Sequence, residues 1–92
     1  MDEKELFDQL FGQLVMSLHH AAFFQMGKIA NPMTGKVERS LEEARATIDM
    51  LRMLREKTKN SGNEEEKEML NRIVFDLEMN YVEESKKGTI IT

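Results

Sequence analysis

The segment SLEEARATIDMLRMLREKTK, residues 40–59, decides the fold. Its apolar residues recur every three or four positions, which is the spacing of one face of an α-helix. Ser40 and Glu43 have the spacing of a capping box, in which the hydroxyl and the carboxylate each accept a hydrogen bond from a backbone N–H of the first turn. Basic residues gather near the other end, where the helix dipole favours cations. The pattern therefore predicts a helix over about 40–59.

This helix carries two apolar stripes on nearly opposite sides. With about 100° between successive residues, one stripe faces the core and consists of Leu41, Ala44, Ile48, Leu51 and Leu54. The other, called here the second-helix stripe, consists of Ala46, Met50 and Met53. A helix in a monomeric bundle needs only one apolar stripe. The second stripe therefore predicts contact with a partner.

The segment 63–85 repeats this design. Asn63 suits the N-cap position, and the three glutamates at 64–66 place negative charge in the first turn of a helix. The core face consists of Met69, Leu70, Ile73, Val74, Leu77 and Tyr81. A separate third-helix stripe consists of Phe75, Met79 and Val82. Lys86, Lys87 and Gly88 are expected to end the helix, and residues 86–92 to form a flexible tail.

Upstream, residues 3–28 predict a long first helix, with Gly27 as its C-terminal cap. Its apolar arc is about 200° wide, and Met16 and Phe23 lie outside that arc. The arc consists of Leu6, Phe7, Leu10, Phe11, Leu14, Val15, Leu18, Ala21, Ala22 and Met26. Asn, Pro and Gly within residues 30–36 favour a turn before the second helix.

Together these segments predict an all-α fold over residues 1–92, a single domain with a long first helix and an antiparallel helical hairpin. The surplus apolar surface predicts a helical homo-oligomer, a homodimer or larger, because contiguous apolar patches tend to mark interfaces. The predicted interface residues are Met16, Phe23, Ala46, Met50, Met53, Phe75, Met79 and Val82. Which stripe closes the oligomer stays open, as does docking of a helix from another protein, since Met-rich faces suit both.

Composition and charge narrow the function. The chain is 33% charged with a net charge of −4, and it has no cysteine, so disulfides and thiolate metal sites are excluded. An uncharged run at 9–27 has the length of a membrane span, but six polar residues interrupt it and argue against insertion. The N-terminus is acidic where a secretory signal is basic, so we expect a cytoplasmic protein.

We interpret the chain as a non-catalytic interaction or adaptor module. The alternative is a nucleic-acid or ribonucleoprotein-associated factor that uses a basic stripe on the second helix. This basic stripe consists of Arg45, Arg52, Arg55 and Lys59. The acidic overall balance argues against it, because nucleic-acid surfaces usually accompany a more basic composition.

Few residues suggest chemistry. His19 and His20 are adjacent, so on a helix they point about 100° apart and cannot chelate one metal as an i, i+4 pair does. Whether either has a functional role stays open. Asp49, with Arg45 and Arg52 at helical spacing, is a candidate ion-pair cluster. No catalytic triad and no glycine-rich phosphate loop can be identified in the sequence, so we expect no enzyme, no cofactor and no metal.

A resemblance to a known family rests on the Ala-Arg-x-Thr-Ile-Asp-x-Leu stretch at 44–51, on Lys-Thr at 57–58 and on the turn at 31–35. These motifs resemble a family of small bacterial proteins classed as a domain of unknown function (number eighteen forty-four). The likeness covers about residues 7–82. It departs at 60–63, where the family has a shorter Asn-Leu-Thr start to the last helix. The resemblance implies a cytoplasmic bacterial protein and supplies no activity.

Overall fold

Three helices make up the architecture of the chain in a computed structural model that describes residues 2–61 and 63–91, the last four of these by their backbone only. The helices are α1 (Glu3–Gln25), α2 (Leu41–Thr58) and α3 (Glu64–Ile91). The described residues contain no β-strand. The predicted all-α class and the three helices are confirmed.

The end of α1 follows the predicted cap. Gly27 has a φ of 80°, in the left-handed region that glycine enters without strain. Its N–H donates to the Phe24 carbonyl at 3.1 Å, and the N–H of Lys28 donates to the Phe23 carbonyl at 3.0 Å. These two bonds form a Schellman motif, which satisfies carbonyls at the end of the helix.

The capping box predicted at α2 forms only by half. The Ser40 hydroxyl accepts from the Glu43 N–H at 3.3 Å, as expected. The Ser40 N–H, however, donates to the Gln25 carbonyl at 2.7 Å and not to the Glu43 carboxylate. This bond fixes the start of α2 to the end of α1, because the connector returns the chain directly beside Gln25.

The complete capping box lies at α3 instead. The Asn63 side-chain oxygen accepts from the Glu66 N–H at 2.8 Å, and the Glu66 carboxylate accepts from the Asn63 N–H at 3.4 Å. At its other end α3 continues to Ile91, beyond the end predicted near Ser85. Lys87 supports this last stretch by pairing with acids one turn back. The side chains of 88–91 and the whole of residue 92 lie outside the described residues. The flexibility predicted for residues 86–92 therefore stays a prediction.

The three helices share one buried core. Its fully or nearly buried apolar residues are Val15, Ala22, Met26, Ala44, Ile48, Leu51, Leu70, Ile73, Val74 and Leu77. The core stripe of α2 and the core face of α3 are therefore confirmed. The Cα positions span 52 × 27 × 16 Å. A thickness of 16 Å is what two stacked layers of helices give, so each helix keeps an outer face.

The wide apolar arc of α1 is only partly covered, as its excess width indicates. Four of its members are exposed: Leu6 (43%), Phe7 (57%), Leu10 (48%) and Leu14 (48%). The buried apolar residues of α1 begin at Val15. The physical reason is geometric, because two neighbouring helices cannot enclose an arc of about 200° along the full length of a third.

Candidate interaction surfaces

The outer face of α3 is the most exposed apolar surface on the described helices. The third-helix stripe consists of Phe75 at 66% exposure, Met79 at 58% and Val82 at 51%. These side chains lie on the side of α3 opposite Leu77 and Val74, which are fully buried. The protomer therefore uses one side of α3 for its core and leaves a second apolar side uncovered.

The outer face of α2 carries a smaller version of the same feature. Met50 and Met53 are exposed by 45% and 46%, and the exposed Ala46 lies one turn before them. The structure thus leaves the second-helix stripe uncovered as well. Its side chains are fewer and smaller, since alanine contributes only a methyl group.

The two predicted interface residues of α1 differ in their surroundings. Met16 is 40% exposed and lines a groove that also contains Phe75, so it belongs with the third-helix stripe. Phe23 is half-buried and packs against the core, with its ring centroid 5.0 Å from that of His19. The expectation that Phe23 lies outside the packed face is wrong, because the ring folds over the His19 side of α1 and reaches the core.

Sequence reasoning missed one exposed surface, the N-terminal part of α1. Leu10 lies four residues after Leu6 and three after Phe7, and Leu14 follows four residues later, so the four side chains share one helix face. The predicted interface residues do not include them, because helical periodicity alone cannot distinguish a buried stripe from an exposed one. The only signal in the sequence was the width of the arc, which exceeds what two neighbours cover.

A groove of about 490 Å³ runs between α1 and α3. It is lined by Met16, His19, Met69, Arg72, Ile73, Phe75 and Asp76. Within the described part of the chain, neither ring nitrogen of His19 has a hydrogen-bond partner, and Nε2 lies 3.9 Å from an Asp76 carboxylate oxygen. Burial lowers the pKa of His19 by desolvating the charged ring, and the nearby Asp76 opposes this shift. The groove therefore combines apolar side chains with the His19 ring and two charged residues, Arg72 and Asp76.

The predicted ion-pair cluster forms in a different combination. Arg52 donates to Asp49 at 2.8 Å, and its Nε donates to Glu78 of α3 at 3.0 Å. These carboxylates raise the pKa of Arg52, Glu78 first. Arg45 instead lines a cavity of about 210 Å³ beside Tyr81. The spacing of Asp49 and Arg52 predicted their pairing, but it did not identify Glu78.

A second charged cluster, absent from the sequence-based expectations, surrounds Glu84. Its side chain is only 9% exposed, and its carboxylate lies 3.1 Å from Lys28 Nζ, 2.9 Å from Lys87 Nζ and 3.7 Å from Arg39 Nε. Arg39 also donates to the Glu84 carbonyl. Lys87 and then Lys28 lower the pKa of Glu84, and burial of the carboxylate opposes this shift. The cluster, called here the Glu84 junction, joins the α1–α2 connector to α3.

The described residues lack two kinds of feature. They contain no group of three or more His, Cys, Asp or Glu side chains placed to hold a metal ion. Among residues 2–61 and 63–91, no helix combines the length and the apolar character that crossing a membrane requires.

Comparison with known proteins gives one result. The family model described as Domain of unknown function (DUF1844) matches residues 8–83. No curated protein and no solved structure gives a significant match to the chain. Evidence on function therefore comes from the surfaces described above.

Proposed function

The chain belongs to the DUF1844 family of domains of unknown function, and we propose that it is a non-catalytic interaction module that self-associates through its apolar outer faces. One observation carries the proposal. After the core is closed, the outer sides of α2 and α3 still present methionine and phenylalanine side chains exposed by 45% to 66%. Contiguous exposed apolar surface of this kind is uncommon on proteins that stay monomeric.

The regular spacing of these residues along each helix supports an interface, and it differs from the scattered exposure of single apolar side chains. Isolated exposed apolar side chains are ordinary on any protein. Here they recur at three- and four-residue spacing, so each set forms a continuous stripe along its helix. A stripe of this geometry fits the apolar face of another helix, which is how amphipathic helices recognise one another.

The test is the mass of the protein in solution. Light scattering behind a sizing column at micromolar concentration should give at least twice the chain mass of 10.7 kDa. A uniform species of 10.7 kDa under these conditions contradicts the proposal. Far-ultraviolet circular dichroism on the same sample checks that the helices are formed.

Nucleic-acid binding is the competing function, and the charges of the basic stripe give it little support. Arg52 pairs with Asp49 and Glu78, and Lys59 pairs with Glu56 at 2.6 Å. Cations already neutralised within the protomer have less charge to offer a phosphate backbone. Titration of RNA and DNA at about 50 mM salt tests this function, since phosphate binding at that salt should be measurable and should fall steeply as salt is added.

A bacterial, cytoplasmic setting is part of the same proposal. The family resemblance supports the bacterial source, and the lack of cysteine fits a reducing compartment. Fractionation of cells that express the chain at its natural level, followed by immunoblotting, tests the compartment. Recovery in the membrane or periplasmic fraction contradicts it.

A further inference from the structure

The third-helix stripe is the apolar centre of a longer seam on α3. Starting at Glu68, exposed residues recur at steps of four, three, four, three and four. This α3 seam consists of Glu68, Arg72, Phe75, Met79, Val82 and Lys86. The alternation of three and four is the a/d pattern of a helix that packs along a second helix in a coiled coil.

We infer that α3 pairs antiparallel with α3 of a second copy along this seam, which rests on the self-association proposed above. The pairing places Phe75 against Met79 of the second copy, and Met79 against Phe75, at the centre of the interface. The same register places Glu68 opposite Lys86 at both ends of the seam. The occupant of the exposed face is therefore another copy of this chain.

Charge decides the direction of the pairing. In a parallel pair, Glu68 would face Glu68, Arg72 would face Arg72 and Lys86 would face Lys86. Like charges in register repel, and natural interfaces use this repulsion to exclude wrong partners. In the antiparallel pair, Glu68 meets Lys86 twice. Within the described residues neither of these two side chains forms an ion pair, so both are available to the second copy.

Charge also decides the register. A shift of one heptad in one direction places Lys86 over Phe75, and a shift in the other direction places Glu68 over Met79. Either shift sets a charged side chain against an apolar one, and neither retains the Glu68–Lys86 pairs. The register that centres Phe75 and Met79 also sets Arg72 against Val82, but it packs Phe75 on Met79 at the centre and is the one that retains both Glu68–Lys86 pairs.

The second-helix stripe does not offer the same complementarity. Pairing it with itself so that Met50 packs on Met53 places Lys57 opposite Ala46, without an acid to receive it. The second-helix stripe has three apolar residues, as the α3 seam does, but one of them is alanine. The seam on α3 is therefore favoured over the equivalent stripe on α2.

The groove beside the seam extends the proposed contact. Phe75 lies on the seam and also lines this groove, together with Met16 and Met69. Because Met79 of the second copy faces Phe75, its flexible side chain reaches the mouth of the groove. Methionine suits such an irregular apolar recess, since its unbranched chain adopts many shapes.

Cysteine cross-linking tests direction and register together, because the chain has no cysteine of its own. In the double variant Glu68→Cys/Lys86→Cys, the two thiols of one chain are five helical turns apart, about 27 Å, which is too far for an intrachain disulfide. Mild oxidation should convert most of the protein into a disulfide-linked dimer, and a reducing agent should convert this dimer back to single chains on a denaturing gel. Each single variant, Glu68→Cys or Lys86→Cys, should stay uncross-linked, since like thiols are about 27 Å apart in the antiparallel pair.

The outcomes separate this inference from the proposed function. A wild-type monomer overturns both. A wild-type oligomer whose double-cysteine variant fails to cross-link overturns the α3 seam alone, as does efficient cross-linking of Glu68→Cys by itself, which indicates a parallel pair.

Matched substitutions give an independent readout by light scattering. Met79→Glu places a charge at the centre of the seam and should yield monomers, whereas Met50→Glu on the second-helix stripe should leave the dimer intact. If Met50→Glu yields monomers and Met79→Glu leaves the dimer intact, the interface lies on α2 and the α3 seam is wrong. Glu68→Lys should weaken the dimer about tenfold or more, and the charge-swapped Glu68→Lys/Lys86→Glu should restore it. All four positions are exposed, so the helices should form in every variant, as circular dichroism can verify.

Discussion

The Glu84 junction and the outer face of α3 lie on the same helix and differ in how completely the protomer satisfies them. At the junction, a buried carboxylate is surrounded by three cations from the connector and from α3 itself. On the outer face, Phe75 and Met79 are more than half exposed and have no comparable cover. A buried charge must be paired within the fold, but an exposed apolar side chain can be covered later by a second molecule. The contrast separates the side of α3 that folding uses from the side that the proposed association would use.

Substitutions on the two sides of the helices should therefore have different effects. Changes on the inner side should lower the free energy of unfolding without changing the specific association, and changes on the outer side should do the reverse. Because association would itself stabilise the folded state, unfolding is best measured in the Met79→Glu background, which we expect to be monomeric.

Leu51→Ala should have the largest effect on folding. Leu51 is fully buried in the shared core, and removing its side chain leaves a cavity, so the free energy of unfolding should fall by about 3 kcal/mol. Met53→Ala, two residues away on the exposed second-helix stripe, is the matched control and should change it by less than about 0.5 kcal/mol. Urea denaturation followed by circular dichroism measures both. Equal losses of unfolding free energy at the two positions would contradict the assignment of a buried side and an exposed side to α2.

Glu84→Gln should lower the free energy of unfolding by about 2 kcal/mol, since it removes a buried carboxylate from its cations. Glu83→Gln, whose side chain is 59% exposed, is the control and should cost much less. The mass in solution should not change in either case.

The pH dependence gives the Glu84 junction a second readout. The folded state lowers the pKa of Glu84, so its stabilisation is complete above the ordinary value of 4.5 and is lost as the pH falls through the lower folded value. The difference between wild type and Glu84→Gln should therefore shrink below pH 4.5. A difference that stays constant down to pH 3 would assign the loss to packing instead.

Two glycines provide a pair with opposite expected signs. Gly27→Ala should destabilise by about 1 kcal/mol, because alanine is strained at a φ of 80° in the Schellman motif. Gly12→Ala should stabilise by up to about 1 kcal/mol, because Gly12 lies within α1 and an added Cβ meets no atom within 4 Å. Thermal unfolding of the two variants measures both signs. Destabilisation by Gly12→Ala would indicate a contact on α1 that the protomer alone does not contain.

Sequence reasoning recovered the inner side of the helices well. Periodicity predicted the core positions of α2 and α3, because burial on one side of a helix leaves a direct trace at three- and four-residue spacing. Gly27 was identified for a similar reason, since a left-handed cap strongly favours glycine. Both features are local, because each depends on residues that lie within a few positions of one another in the sequence.

Features that depend on contact between distant segments were recovered less well. Glu84 is one of two adjacent glutamates at 83–84, and only the packing of the connector against α3 makes it the buried one. The Ser40 N–H bonds to Gln25 because the connector folds back, which the spacing of Ser40 and Glu43 does not reveal. Exposure of Leu10 and Leu14 likewise depends on where the neighbouring helices lie.

His19 lies between the two regions and should give the smallest effect, through pH. Its ring contacts Phe23 on the core side, and it also lines the groove that contains Phe75. Burial lowers its pKa from 6.5, with Asp76 opposing the shift and His20 adding to it. The unfolded chain therefore binds a proton below pH 6.5 that the folded chain resists, so stability should fall as the pH falls through this value. His19→Gln removes the titrating group and should reduce the loss of unfolding free energy between pH 7.5 and pH 5.5. His20→Gln, at the exposed neighbour, is the control and should retain most of the wild-type loss, because burial and not His20 is the main cause of the shift. If both variants lose stability with pH as the wild type does, the groove wall does not desolvate His19, and the carboxylates elsewhere in the chain govern the acid response.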